Sequence, residues 1–132
     1  MASSTVEALQ EIYEHWSKGE WDYLPPMYAE DFEWGWSPEF PGLAGVHHDT
    51  ETPNPRLRAW LSPWEHWAVE VEDYVESGDD VVVLLRYQGR GKGSGVEVDV
   101  EGAHVWQWRD GRAVRLEVFA DRRTALVSVG LA

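Results

Sequence analysis

The residues best placed to move a proton lie near the C-terminus, in the run GAHVWQWRDGRAVRLEVFAD at positions 102–121. Two apolar runs meet there at Asp110-Gly111, a dipeptide suited to a type I′ hairpin turn, whose two central residues both need positive φ. A two-residue loop places His104 opposite Glu117 and Trp106 opposite Arg115. Alternation adds Trp108, Ala113 and Phe119 to that face, leaving Ala103, Val105, Gln107, Val114, Leu116, Val118 and Ala120 on the other. The first face is aromatic with a few convergent polar groups, the composition of a ligand site; the second reads as aliphatic packing. A carboxylate beside an imidazole raises the imidazole pKa and orients its ring, and aromatic surroundings push a buried carboxylate toward the range of a usable base. Such a pair can shift a proton next to a carbonyl, open an epoxide through water, or eliminate water. The competing reading is an ion pair that satisfies only its own two members.

Other side chains extend the list. Tyr13, on a first helix, is a candidate hydrogen-bond donor into a pocket or a core residue at helical spacing, while His15 reads as surface. Arg86 interrupts an apolar strand and needs a partner such as Glu117 or Asp99 if buried; a structural or substrate-orienting ion pair is expected there. In HHD, 47–49, one of His47 or His48 is a candidate acid or base at a pocket mouth, the competing reading being a solvated loop. A metal site is not expected, because adjacent histidines point apart and no third ligand is suitably spaced. Trp34, Trp36, Trp60, Trp64 and Trp67 cluster around a proline-rich stretch, some to line a pocket and some to fill a core. GRGKGSG carries glycines and cations but precedes a strand, so it is no phosphate cradle.

These residues need a scaffold. SSTVEALQEIYEHWSKG reads as a helix, with Ser4 and Glu7 as a capping box, Val6, Leu9, Ile12 or Tyr13 and Trp16 as its apolar stripe, and Gly19 as its stop. Trp21, Leu24 and Tyr28 suit a short helix that Pro25-Pro26 would break. FEWGW, 32–36, reads as a strand. Residues 37–55 carry four prolines and read as a long irregular loop, a candidate lid. PRLRAWLSPW, 55–64, suits a short helix started by its proline. From residue 66 onward the pattern is of strands: HWAVEVEDYVES, VVVLLRYQGRG, VEVDVEGAHVWQW with Gly102 as a bulge or kink, and AVRLEVFAD. RRTALVSVGLA suits a final helix ending at Gly130. Helices first and a strand meander after them argue for an α+β fold.

Bulk properties narrow the function. The 132 residues suffice for one domain with a real core. No cysteine is present, so disulfides, thiolate chemistry and Cys-type zinc sites are excluded. A net charge of −13 opposes nucleic acid and anionic membranes as partners. The N-terminus lacks a signal peptide's pattern and no apolar run approaches the ~20 residues of a membrane span, so a cytoplasmic location is expected. Nine tryptophans imply an aromatic core, an aromatic pocket, an oligomer interface or some mix of these.

The order of elements and three strings, YAEDFEW, GDDVVVLLRYQGRGKGSGVEV and AHVWQWRDGRAVRLEVFADRRTAL, resemble the SnoaL-like branch of the nuclear transport factor 2-like superfamily. The resemblance covers nearly the whole chain, residues 1–132 as a single domain. It implies N-terminal helices packed in the concavity of a strongly bent, mostly antiparallel sheet, a cystatin-like cone closed around a deep pocket. Relatives include polyketide cyclases, ketosteroid isomerase, scytalone dehydratase and limonene epoxide hydrolase. In ketosteroid isomerase a pocket acid sits on a segment similar to His104-Val105-Trp106, and a helix tyrosine resembles Tyr13. In limonene epoxide hydrolase an aspartate falls near Glu117, its arginine partner resembles Arg86, and a second aspartate falls near Gln88, which cannot act as a base. The run GVHHDTETPNPRLRAWL departs from the family's shorter link.

Together these readings point to a cofactor-independent acid/base enzyme of isomerase, cyclase, lyase or epoxide hydrolase type, acting on an apolar cyclic substrate. His104, Glu117, Tyr13 and Arg86 would carry the chemistry, with Trp34, Trp36, Trp60, Trp64, Trp106, Phe119 and His47 around the substrate. No cofactor or metal is expected, and a homodimer through the sheet is. The alternatives are a non-catalytic small-ligand-binding module, and a domain whose pocket is filled by its own tryptophans.

Overall fold

The computed structural model describes residues 4–21, 28–36, 45–47 and 55–131. Its elements are α1 (Ser4–Ser17), β1 (Tyr28–Trp36), β2 (Gly45–His47), α2 (Pro55–Leu61), β3 (Trp64–Ser77), β4 (Asp80–Gly91), β5 (Glu97–Arg109), β6 (Arg112–Phe119) and α3 (Arg122–Ser128). The strands form one curved sheet in the order β2-β1-β6-β5-β4-β3. All neighbours are antiparallel except β1 and β6. This is the α+β architecture that the residue pattern implies.

Alternation along the strands builds two cores. Phe32 and Trp34 of β1, Val81, Val83, Leu85 and Tyr87 of β4, Trp106 of β5, and Leu116 and Val118 of β6 are buried together with Leu9, Ile12, Tyr13 and Trp16 of α1. The helix stripe thus fills the hollow of the sheet, and burial of each large apolar side chain contributes about 1.5–3 kcal/mol. On the outer face Val82, Ala103, Val105 and Phe119 pack with Ala125 of α3. Asp121 caps α3, its side chain accepting from the Thr124 backbone N–H at 3.0 Å.

Several elements differ from the expectation. Tyr28 begins β1 rather than ending a helix, and a short strand, β2, lies inside the stretch read as loop and pairs with β1. Leu24, Pro25-Pro26, His48, Asp49 and the rest of the expected lid lie outside the described residues. Gly102 makes no bulge, since the β4–β5 register runs through it as Leu85↔Gly102. It instead leaves room for Tyr87: a Cβ there would sit 2.1 Å from Tyr87 Cε2. With that space open, the Tyr87 hydroxyl reaches across two strands to donate to the Phe119 carbonyl at 2.8 Å.

The β5–β6 hairpin decides the site. Asp110 and Gly111 have φ of 53° and 76°, as a type I′ turn requires. Beside the turn the pairs are Arg109↔Arg112 and Trp108↔Ala113, the expected register. The next pair is Gln107↔Arg115, so Val114 is an extra residue on β6. That bulge moves every later pair by one: His104 lies opposite Val118, and Glu117 lies opposite Val105. Ala113, Leu116 and Val118 therefore face the hollow with His104 and Trp106, while Arg115, Glu117 and Phe119 face outward.

Candidate functional site

His104 sits at the floor of the hollow, 4% exposed, brought there by the same strand phase that buries Trp106. Its Nδ1 lies 2.6 Å from the Tyr13 hydroxyl. Trp106 Nε1 donates to that hydroxyl at 3.0 Å. An indole N–H can only donate, so the Tyr13 oxygen accepts from Trp106. Its own proton is then available to His104 Nδ1, and in that tautomer the imidazole proton sits on Nε2. This assignment satisfies both contacts at once. Burial lowers the His104 pKa to about 3, because desolvation penalises the charged ring. The group is a neutral imidazole at every physiological pH, held by a tyrosine and presenting a donor edge.

Above it is a narrow aromatic slot. Trp16, Trp21, Trp34 and Trp36 form one side; Trp60, Trp67 and Tyr87 form the other; His104, Val69 and Val118 complete the lining. The phase of β1 aims Trp34 and Trp36 inward, and on β3 and β4 the pair Trp67↔Gly89 brings Trp67 over a glycine whose Cβ would lie 2.7 Å from its ring. Neighbouring rings stack: Trp34 on Trp36 at 6.2 Å, and Trp67 on Tyr87 at 5.8 Å. The cavity is about 40 Å³, room for a few waters between ring faces. Among the described residues that line it there is no carboxylate and no cation.

Of the sequence candidates, the structure brings together His104, Tyr13 and Trp106, and places Trp34, Trp36 and Trp60 on the slot. Others it separates. Glu117 is not the partner of His104: it lies on the opposite face of the sheet and pairs with Arg115 at 3.1 Å. Gly35 accommodates that pair, its Cβ position lying 3.1 Å from both side chains. Arg86 also faces outward, since Leu85 and Tyr87 face in, and it binds Asp99 at 2.8 Å with Glu101 at 3.7 Å. Phe119 does not reach the slot, because the same register shift buries it under α3. Trp64 packs at a tilt against Trp67 at 4.8 Å and does not line the slot. Trp106 lies beneath the slot, fully buried, and acts through Tyr13. The backbone of His47 pairs with Trp34, and its side chain lies outside the described residues. His15 pairs with Glu20 at 2.9 Å on the surface.

Trp16, Trp21 and Tyr87 line the slot although the sequence reading does not set them around a substrate, and Trp67, expected as either pocket or core, lines it too. Trp67 and Tyr87 are legible in principle, being on the same strand phase as Val69 and Leu85.

Comparison with known proteins fits this geometry. The SnoaL-like domain family matches residues 9–116. The chain belongs to the SnoaL-like family. Among solved structures it is similar to a nuclear transport factor 2-like protein of unknown function from Burkholderia pseudomallei, with 21% identity, 98% of this chain and 99% of that chain covered, and a TM-score of 0.79. It is similar to TerC, co-crystallised with polyporic acid, with 22% identity, coverage of 96% and 98%, and a TM-score of 0.78. A third, from Catenulispora acidiphila, has a ketosteroid isomerase-like fold and is in complex with trimethylamine; identity is 17%, coverage 96% and 94%, and the TM-score 0.71. No curated protein matches the sequence. No helix among the described residues is long and apolar enough to cross a membrane.

Proposed function

We propose that this SnoaL-like protein binds an apolar cyclic small molecule in the tryptophan slot, and that His104 Nε2–H polarises an oxygen of it. The observation that carries this reading is the Tyr13–His104 contact of 2.6 Å at the floor of an otherwise apolar cavity. A ring-faced slot favours a flat ligand, and a hydrogen bond made among those rings is stronger than one made in water. Entry of a ring system requires half-buried Trp21 or Trp60 to swing aside. Polarising a carbonyl in this way lowers the barrier to removing a proton beside it, the step shared by cofactor-independent isomerases, cyclases and lyases. Epoxide hydrolysis has less support, since Glu117 and Arg86 face away from the slot. Small molecules found with TerC and with the Catenulispora protein support a ligand-binding role for the fold.

One observation favours a non-catalytic binding module instead. No carboxylate among the described residues lines the slot, and His104 is too weak a base to take a proton at neutral pH. A single probe separates the two. α-Tetralone, a flat ketone with exchangeable protons beside its carbonyl, should quench the slot tryptophans on binding. Tyr13→Phe and His104→Ala should each weaken it about tenfold relative to naphthalene, the loss of one hydrogen bond. Glu117→Gln should bind normally. Catalysed exchange of the ketone's α-protons in D₂O would mark an enzyme, and binding without exchange would mark a module. Equal losses for ketone and hydrocarbon in the His104 variant would refute the polarising role.

A further inference from the structure

We propose that the half-buried indoles of Trp21, Trp36, Trp60 and Trp67 form an aromatic cage for a methylated ammonium group at the mouth of the slot, so that the ligand is cationic at one end. This deepens the reading of the slot as a ligand pocket and rests on it. The four rings line the slot and are partly exposed, whereas Trp16, Trp34, Tyr87 and His104 on the same lining are at most 6% exposed. Exposure thus marks the four as the mouth and the others as the depth. The wall is built of indoles where aliphatics would serve: among the described lining residues only Val69 and Val118 are aliphatic. Apolar area alone needs no more than leucine or isoleucine. What an indole adds is a ring face of negative potential, the strongest of the aromatic side chains. Trp60 and Trp67 stand at 88° with centroids 5.4 Å apart, which makes a corner rather than one flat wall. Trp36 stacks on Trp34, and Trp21 tilts against Trp16 at 5.9 Å, so the aromatic surface continues inward from the mouth.

The lining also selects the kind of cation. A metal ion or a bare ammonium holds its water tightly and needs oxygen partners to replace it, and no described residue on the slot is a carboxylate. Methyl groups surround the charge with apolar surface, so a methylated ammonium gives up water at low cost and meets ring faces instead. The space agrees. A cavity of about 40 Å³, with room for a few waters, is of the order of such a head group, whereas a ring system has to displace Trp21 or Trp60. The net charge of −13 biases the surroundings toward cations. His104 is neutral and adds no opposing charge, and its Nε2–H is left for an oxygen elsewhere on the same ligand. An anion would meet neither a described cation on the lining nor a favourable field.

The test titrates choline and its neutral carbon isostere, dimethylbutanol, in which a tert-butyl group replaces the trimethylammonium, with α-tetralone alongside. Choline should bind about tenfold tighter than dimethylbutanol. Raising the salt concentration should leave most of that preference, because contact with a ring face is screened far less than the field of the net charge. Protein made with fluorotryptophan keeps every side chain's shape while fluorine drains the ring faces, and it should lose most of the preference without weakening dimethylbutanol. Trp21→Leu and Trp60→Leu should each reduce the ratio of choline to isostere; the fluorinated protein gives the same reading without depending on how these variants fold. Choline binding no tighter than its isostere, or a preference that survives fluorination or vanishes in salt, would overturn the cage. If α-tetralone still binds in that case, the pocket stands without it. Failure of all three probes to bind would overturn the pocket reading and the cage together.

Discussion

Mild acid should destabilise this protein through His104. The folded ring has a pKa of about 3, lowered by burial, whereas an unfolded histidine titrates near ~6.5. The native state favours the neutral ring, so the unfolded chain binds the extra proton. Stability from this group is present above the unfolded pKa and is lost as pH falls toward the folded pKa. At pH 5 the unfolded imidazole is almost fully charged and the native one almost fully neutral, which costs about 2 kcal/mol relative to pH 7. The value at pH 5 hardly changes if the folded pKa lies a unit higher. Acidic side chains titrate as well, so the informative quantity is the difference between the wild type and His104→Gln, which can still meet Tyr13 but carries no titrating ring. Urea unfolding at the two pH values should show the wild type losing about 2 kcal/mol more than the variant, on the order of 1 M in midpoint. Parallel losses in both proteins, or an NMR titration of His104 centred near its unfolded value, would refute the buried neutral ring and the donor role built on it.

Two further outcomes test the scaffold. Gly102→Ala should lower stability by about 1–3 kcal/mol, because the new Cβ would sit 2.1 Å from the Tyr87 ring on which the slot wall is built; thermal melting should show a fall of several degrees, and an unchanged Tm would mean that Tyr87 is not held there. Asp121→Ala should cost about 1 kcal/mol by removing the cap of α3, with the loss recovered in Asp121→Asn, whose side chain accepts from the same backbone N–H.

The amino-acid sequence by itself determined most of the architecture. Apolar spacing at Leu9, Ile12 and Trp16 marks α1, Asp110-Gly111 marks the last turn, and β-branched alternation from residue 66 marks the meander; each signal is local and strong. That His104 and Tyr13 stand out as polar groups set among large aromatics was legible for the same reason. Which carboxylate met His104 was not. Val114 adds one residue to β6, and because strand side chains alternate with a period of two, that insertion turned Glu117 and Arg115 outward and brought Leu116 and Val118 in. Burying two aliphatics in place of an ion pair avoids the desolvation of two charges, a preference that emerges only when both faces of the sheet have their coverings, α1 on one and α3 on the other. Which tryptophans line the slot and which pack behind it was equally beyond the sequence, for Trp67 lines it and Trp64 does not. That division depends on residues far apart in the chain, and only packing brings them together.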